Sequence, residues 1–302
     1  MSSSPAPDPI KRQSAQAITA RKRQTNALPN AQAITMLTCY DASTAQWLDG
    51  EVDILLVGDS LAMTVLGHPD TLSVTMDEML HHVKAVSRGS QKSLIVADLP
   101  FMSYHISVSQ AIENAGRMIQ EGHAQAVKLE GATPLVCAAI RRLSQMGIPV
   151  MGHLGFTPQS INTLGGYKIQ GKRAAHALTL LQQAQALEAA GAFAIVLELM
   201  PSRVAGYISS QLKIPTIGIG AGAACDGQVL VIDDVLGRYP NLKPRFVRQY
   251  ADFGAQTQAA ARQWAHDVQN GTFPTQAESY PLAPEDWPLH WETRPEPLPE
   301  PH

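Results

Sequence analysis

The sequence predicts a single α/β catalytic domain folded as a closed (β/α)8 TIM barrel, and three observations lead there. Eight short apolar runs rich in Val and Ile alternate with helix-period segments between the N-terminal arm and about residue 242, as parallel strands covered on both faces do. No G-x-G-x-x-G turn follows the first run, where Tyr40-Asp41-Ala42-Ser43 stands instead, which argues against an open dinucleotide-binding sheet. Acidic residues cluster directly after the runs, where a barrel gathers its functional groups at one mouth.

The runs occupy residues 34–39, 53–57, 93–97, 126–129, 148–151, 194–197, 215–219 and 229–232. Residues 107–122 place Ala111, Ile112, Ala115, Met118 and Ile119 on one helical face. Ser107 and Gln110 have the spacing of a capping box, and Gly122 supplies a C-terminal stop. Residues 133–147 and 174–191 repeat this grammar, each ending on a glycine before the next run. The glycine-rich 218–222 follows the seventh run, where barrels often bind anions, although tight packing explains such glycines equally well. Residues 157–173, with Gly165, Gly166 and Gly171, form a polar connection longer than a barrel normally needs and are a candidate lid. The barrel domain is expected over 31–272. Residues 1–30 read as a flexible basic arm, with Lys11, Arg12, Arg21, Lys22 and Arg23, in preference to a transit peptide of similar composition. Residues 273–302 form a Pro- and Glu-rich tail that can bury little.

At 302 residues and 45% hydrophobic, the chain can bury a large core. A formal charge of -3 provides no basic field to gather nucleic acid, so small molecules are the expected partners. Cys39, Cys137 and Cys225 are odd in number and form no CxxC pair, which argues against a disulfide framework or a zinc site and fits a reducing compartment. The opening residues lack an apolar signal region, and no stretch approaches membrane-spanning length. A cytoplasmic location without membrane association is therefore expected.

The chemistry-bearing residues fall on consecutive run ends. Asp59 and Ser60 follow the second, Asp98 the third, Lys128 and Glu130 close the fourth, His153 the fifth and Glu198 the sixth. Converging carboxylates repel one another unless a cation or protons intervene, and hard oxygen donors favour magnesium. Taken singly, Asp59 or Asp98 reads as a helix N-cap; taken together, the carboxylates read as a metal site. Lys128 and Glu130, two apart in a strand, face the same way. They form either an internal ion pair or a grip on a substrate carboxylate or keto oxygen. His153 suits a buried hydrogen-bonded histidine and a substrate contact equally. Glu198 lies between Ile195-Val196-Leu197 and Leu199-Met200, a partly desolvated setting that suits a general base; a helix cap or buried salt bridge is the alternative.

The stretches themselves form an ordered series. Val57-Gly58-Asp59-Ser60-Leu61-Ala62-Met63-Thr64, Ala97-Asp98-Leu99-Pro100-Phe101-Met102, Val127-Lys128-Leu129-Glu130-Gly131 and Gly152-His153-Leu154-Gly155-Phe156-Thr157-Pro158-Gln159-Ser160 are followed by Gly165-Gly166-Tyr167-Lys168-Ile169-Gln170-Gly171. Gly218-Ile219-Gly220-Ala221-Gly222 and Asp226-Gly227-Gln228 come later. Across residues 35–250 the series closely resembles the ketopantoate hydroxymethyltransferase family. The resemblance implies a barrel of the phosphoenolpyruvate and 2-oxo acid type. It also implies Mg2+ near Asp59, Asp98 and Glu130, a 2-oxo acid held by Asp59, Ser60, Asp98 and Lys128, and Glu198 as proton acceptor. Tyr40 and His153 would be accessory. The implied co-substrate is 5,10-methylenetetrahydrofolate, the product 2-dehydropantoate, and the assembly a homodecamer. Ala132 stands where a second glycine is expected after Glu130, a change that removes no catalytic group. The rival readings are a magnesium-dependent 2-oxo acid carbon-carbon lyase or mutase, and a non-catalytic 2-oxo acid binding protein.

Overall fold

The computed structural model describes residues 12–22, 32–239 and 244–286. Its strands are β1 Ile34–Thr38, β2 Ile54–Val57, β3 Leu94–Asp98, β4 Ala126–Glu130, β5 Val150–Gly155, β6 Ala194–Glu198, β7 Thr216–Ile219 and β8 Gly227–Leu230. They pair in chain order as a closed, wholly parallel barrel, with β8 returning to β1.

Alternate strand residues point inward. At the start of the strands these are Ile34, Ile54, Leu94, Ala126, Met151 and Ala194, which pack into one buried cluster inside the barrel. Farther along the same inward series the residues turn polar, at Thr38, Asp98, Lys128, Glu130, His153 and Glu198. Each apolar run overlaps a strand; the eighth strand lies two residues earlier than its run, because Ile232 opens the helix Ile232–Leu236, and several others reach farther. β3, β4 and β6 continue through Asp98, Glu130 and Glu198, and β5 starts at Val150 and runs on to Gly155. Ladder pairing does not need apolar side chains, so the strands continue past the point where the hydrophobic pattern stops. Register then sets the polar residues side by side: Asp98 opposite Lys128, Glu130 opposite His153, and Glu198 opposite Gly155.

The outer helices keep their predicted places, with two local differences. Ser107 accepts from the Gln110 N–H at 3.1 Å, but the Gln110 side chain returns to the N–H of Ile106 and leaves the box half formed. A complete box stands instead at Thr75 and Glu78, ahead of the helix Met76–Gly89. At the end of Val108–Gln120, His123 and not Gly122 takes the left-handed conformation, with φ 58°. Gly122 is required for space, because an added Cβ would sit 2.5 Å from the Met118 carbonyl oxygen.

Residues 12–22, expected to belong to a flexible arm, are docked on the barrel. Ser14 caps the short helix Ala15–Thr19, which drives Ile18 into the inner cluster at the strand starts, where it is wholly buried. Arg12 donates to the carbonyl oxygens of Ser90 and Ser93, Arg21 pairs with Asp53, and the Lys22 ammonium lies 2.8 Å from Asp226. The basic residues are anchors: an open barrel end exposes apolar side chains, and covering them outweighs the freedom of the segment. The rest of 1–30 lies outside the described residues.

The chain divides into two compact units, 1–251 and 252–302. The helix Phe253–Gln269, included in the expected 31–272 domain, belongs to the second unit and has no buried residue. Most of the Pro- and Glu-rich tail lies outside the described residues. Replacing Ile18 by Ala should lower stability to denaturant by about 2–5 kcal/mol, as for other large-to-small changes in closed cores. An unchanged unfolding midpoint would show that the segment is not a seal.

Candidate active site

The polar ends of the inward series surround a cavity of about 160 Å³, lined by Asp59, Ser60, Asp98, Lys128, Glu130, His153 and Glu198 among others. The cavity therefore brings together every residue expected there except Tyr40. Tyr40 lies buried behind the wall and reaches it through its hydroxyl, 2.8 Å from Ser60 Oγ. Burial pushes the Tyr40 phenol up, so the group stays protonated.

Lys128 is the central cation. Its ammonium lies 2.7 Å from Asp98 Oδ1, with both side chains almost wholly enclosed. Burial opposes its charge, yet Asp98, Glu130 and Asp59 together outweigh that cost and hold it protonated above the ordinary lysine range. Asp59 has the opposite balance: burial, then the charges of Asp98 and Glu130, push its carboxyl well above the usual range. Glu130 is held below that range. Burial works against its charge, but His153, Lys128 and the Gln159 N–H prevail.

His153 lies between two carboxylates, with Nδ1 3.2 Å from Glu130 Oε1 and Nε2 3.2 Å from Glu198 Oε2. Burial and Lys128 disfavour a second ring proton, but the two glutamates overcome them and raise His153 to about 9. Glu198 itself is the more open partner, its side chain 15% exposed. The backbone around it is tightly constrained. Leu199 follows with φ 46°, an uncommon left-handed conformation for a branched-chain residue. Gly155 packs so closely that an added Cβ would lie 2.1 Å from the Glu198 carbonyl oxygen.

Two organising residues escaped the sequence reading. Gln159, in the long connection, donates from Nε2 to Asp59 Oδ2 at 2.9 Å and to the Leu99 carbonyl, while its backbone N–H donates to Glu130 Oε2 at 3.0 Å. Tyr104 donates to Gln159 Oε1 at 2.6 Å and accepts from the Glu130 N–H. The candidate lid thus begins as a buried brace, the turn Pro158–Ser160, before the helix Ile161–Leu164. Farther along it, Tyr167 lies against Phe156 with ring centroids 4.8 Å apart and lines the cavity. The glycine run after β7 serves close packing: a Cβ on Gly222 would meet Ser202 at 2.4 Å.

Asp59, Asp98 and Glu130 each engage a different partner, Gln159, Lys128 and His153 respectively. Among the described residues, no three His, Cys, Asp or Glu side chains close on one point. The donor chemistry still fits a hard cation, since the groups are carboxylate oxygens whose negative charge raises the proton affinity of Asp59. Magnesium commonly takes one or two protein carboxylates and completes its shell with water and substrate.

The sequence pattern of the ketopantoate hydroxymethyltransferase family matches residues 17–276. This chain belongs to that family. A 3-methyl-2-oxobutanoate hydroxymethyltransferase of Dehalococcoides mccartyi strain CBDB1 is 56% identical over 254 residues, covering 84% of this chain and 91% of the relative. One from Carboxydothermus hydrogenoformans is 53% identical over 255 residues, covering 84% and 92%. Among solved structures, phosphoenolpyruvate phosphomutase from Streptomyces platensis subsp. rosaceus superposes with a TM-score of 0.55 at 15% identity, over 89% of this chain and 92% of that one. That likeness is one of fold and does not extend to the mutase reaction. Family membership also sets aside the unrelated non-catalytic reading as the simplest account of the cavity.

The site generates a pH prediction for the metal-free protein. His153 is raised from its ordinary 6.5 to about 9, so its contribution to stability is complete below about pH 6.5 and is lost as pH rises through about 9. The stability difference between the wild type and His153→Asn, read from urea unfolding, should shrink across that window. A difference that grows with pH would contradict the assigned charge.

Proposed function

We propose that the barrel mouth transfers a hydroxymethyl group from 5,10-methylenetetrahydrofolate to 3-methyl-2-oxobutanoate, giving 2-dehydropantoate, with Mg2+ at the carboxylate cluster. The observation that carries this reading is the family match across the whole barrel, 56% identical to a relative of that name. The cavity supports it with a cation, buried carboxylates and one more exposed carboxylate in a single enclosure.

Asp59, Asp98 and Glu130 are the residues that would hold magnesium. When bound, the ion withdraws charge from the keto group and makes the C3 proton of the oxo acid more acidic. Lys128 and Ser60 bind and orient the substrate oxygens, and Tyr40 fixes the Ser60 hydroxyl from behind. Glu198 takes the C3 proton. It stands at the end of a different strand from the metal-binding carboxylates, and His153 holds one of its oxygens, a position suited to a base. His153 in turn spans to Glu130, so the base and the carboxylate cluster keep a fixed separation. Water opens the methylene bridge of the carrier, breaking its carbon-nitrogen bonds and releasing tetrahydrofolate with the one-carbon unit at the formaldehyde level; the carbanion formed at C3 adds to that carbonyl carbon, and its oxygen takes a proton to become the hydroxymethyl group. The walls around Val196 and Ile219 limit water at the reacting carbon.

Two measurements test the roles. Glu198→Gln should still bind the oxo acid yet exchange its C3 hydrogen with deuterated water about 10²–10⁴-fold more slowly, the usual contribution of a positioned base; exchange at the wild-type rate would remove Glu198 from that role. Asp98→Asn and Glu130→Gln should each raise the magnesium concentration needed for half-maximal activity, because an amide removes charge from a hard-cation site. If both variants keep the wild-type magnesium dependence, the ion lies elsewhere.

A further inference from the structure

The two sides of the cavity differ in chemistry. Strands β2 to β6 bring the carboxylates, Lys128 and His153, whereas β7, β8 and the chain beyond them contribute Ile219, Val229, Leu230, Val231 and Phe246. One residue breaks that apolar wall. Asp234, in the first turn after β8, lines the cavity and is half-buried, and no donor among the described residues reaches its carboxylate. Burial and the adjacent Asp233 push it up to about 6. Thr71 lines the same cavity; it is 3% exposed, and its hydroxyl has no partner among the described residues. Asp234 favours the start of its own helix, but folding gives no reason to keep an unpaired Thr71 hydroxyl here, since an unsatisfied buried group costs about 1–3 kcal/mol. A ligand that supplies the missing partners does.

We propose that this wall seats the flat heterocycle of the one-carbon carrier, with the Asp234 carboxylate accepting the paired N–H donors of its 2-amino-4-oxopyrimidine edge. The assignment rests on the folate reading above and names the part of the site that recognises it. Ring N3–H and the exocyclic amine are adjacent donors with the spacing of a guanidinium fork, which a carboxylate accepts with two parallel bonds. The apolar side chains take the faces of the ring, as walls of heterocycle pockets do. Thr71 supplies a second hydrogen-bonding point. The carrier thus occupies one side of the cavity and the oxo acid the other, and the new carbon-carbon bond forms between them.

The test uses the full-length protein and Asp234→Asn, with tetrahydrofolate as titrant under anaerobic conditions. The variant should bind tetrahydrofolate about 10–100-fold more weakly, the loss expected for a charged bidentate contact. Its KM for methylenetetrahydrofolate should rise by a similar factor. Exchange of the C3 hydrogen in deuterated water needs no folate and reports the opposite side of the cavity. A tetrahydrofolate analogue with the 2-amino group replaced by methyl should bind the wild type more weakly than tetrahydrofolate, and the variant should barely distinguish the two. Wild-type tetrahydrofolate affinity in the variant, or a loss of exchange parallel to the loss of folate-dependent rate, would overturn the proposal. If the wild type forms no product from methylenetetrahydrofolate while still exchanging C3 hydrogen, the folate reading itself fails and this assignment falls with it.

Discussion

Lys128 meets Asp98 at 2.7 Å where neither can reach bulk water, and the layout of the mouth follows from that contact. An enclosed ammonium needs compensating charge, and an enclosed carboxylate needs a donor. One lysine cannot answer Asp59, Asp98 and Glu130 together. The remainder is met in three different ways: by a protonated His153 for Glu130, by the Gln159 amide for Asp59, and by a raised proton affinity on Asp59. In a site balanced in this manner each buried carboxylate has a partner of its own.

The barrel supports this by using one structural rule for two purposes. Inward positions alternate along every strand, and the same alternation that places Leu94 and Val96 in the apolar interior places Asp98 at the mouth. No loop has to find its way there. The registers Asp98 to Lys128 and Glu130 to His153 are properties of the backbone ladder, which explains why the charged groups are held without slack. Loops contribute where the ladder stops, and the Gln159 turn is the clearest case, tying the chain after β2 and the chain after β3 to the Gln159 side chain and β4 to its backbone N–H.

Most of this was legible in the chain. Val- and Ile-rich runs located all eight strands, and polar residues at their ends located the cavity, because both signals are local and periodic. What escaped depends on distant partners. Gln159 reads as an ordinary polar residue in a glycine-rich connection until Asp59, a hundred positions away, is seen beside it. Tyr104 reads as a core aromatic, and its hydroxyl bonds to Gln159 and the Glu130 N–H have no sequence signature. The basic composition of residues 12–22 suggested freedom from the fold, whereas a single isoleucine among them decides otherwise, since burial of Ile18 depends on the barrel end it meets. At the helix end near residue 122, the glycine rule pointed to the wrong neighbour because crowding against Met118, and not handedness, fixes that position.

The seal at the strand starts also bears on how the chain is made. Lys22 finds its partners in Ser209 and Asp226, and the β1 edge is closed only by β8. Synthesis delivers the chain in the N-to-C direction, so residues 12–22 emerge before the strands that hold them and must wait for nearly the whole barrel before these contacts exist. Throughout that interval Ile18 and the starts of the early strands remain uncovered. The nascent chain therefore carries this apolar surface on an early segment, and it acquires its protection from a late one.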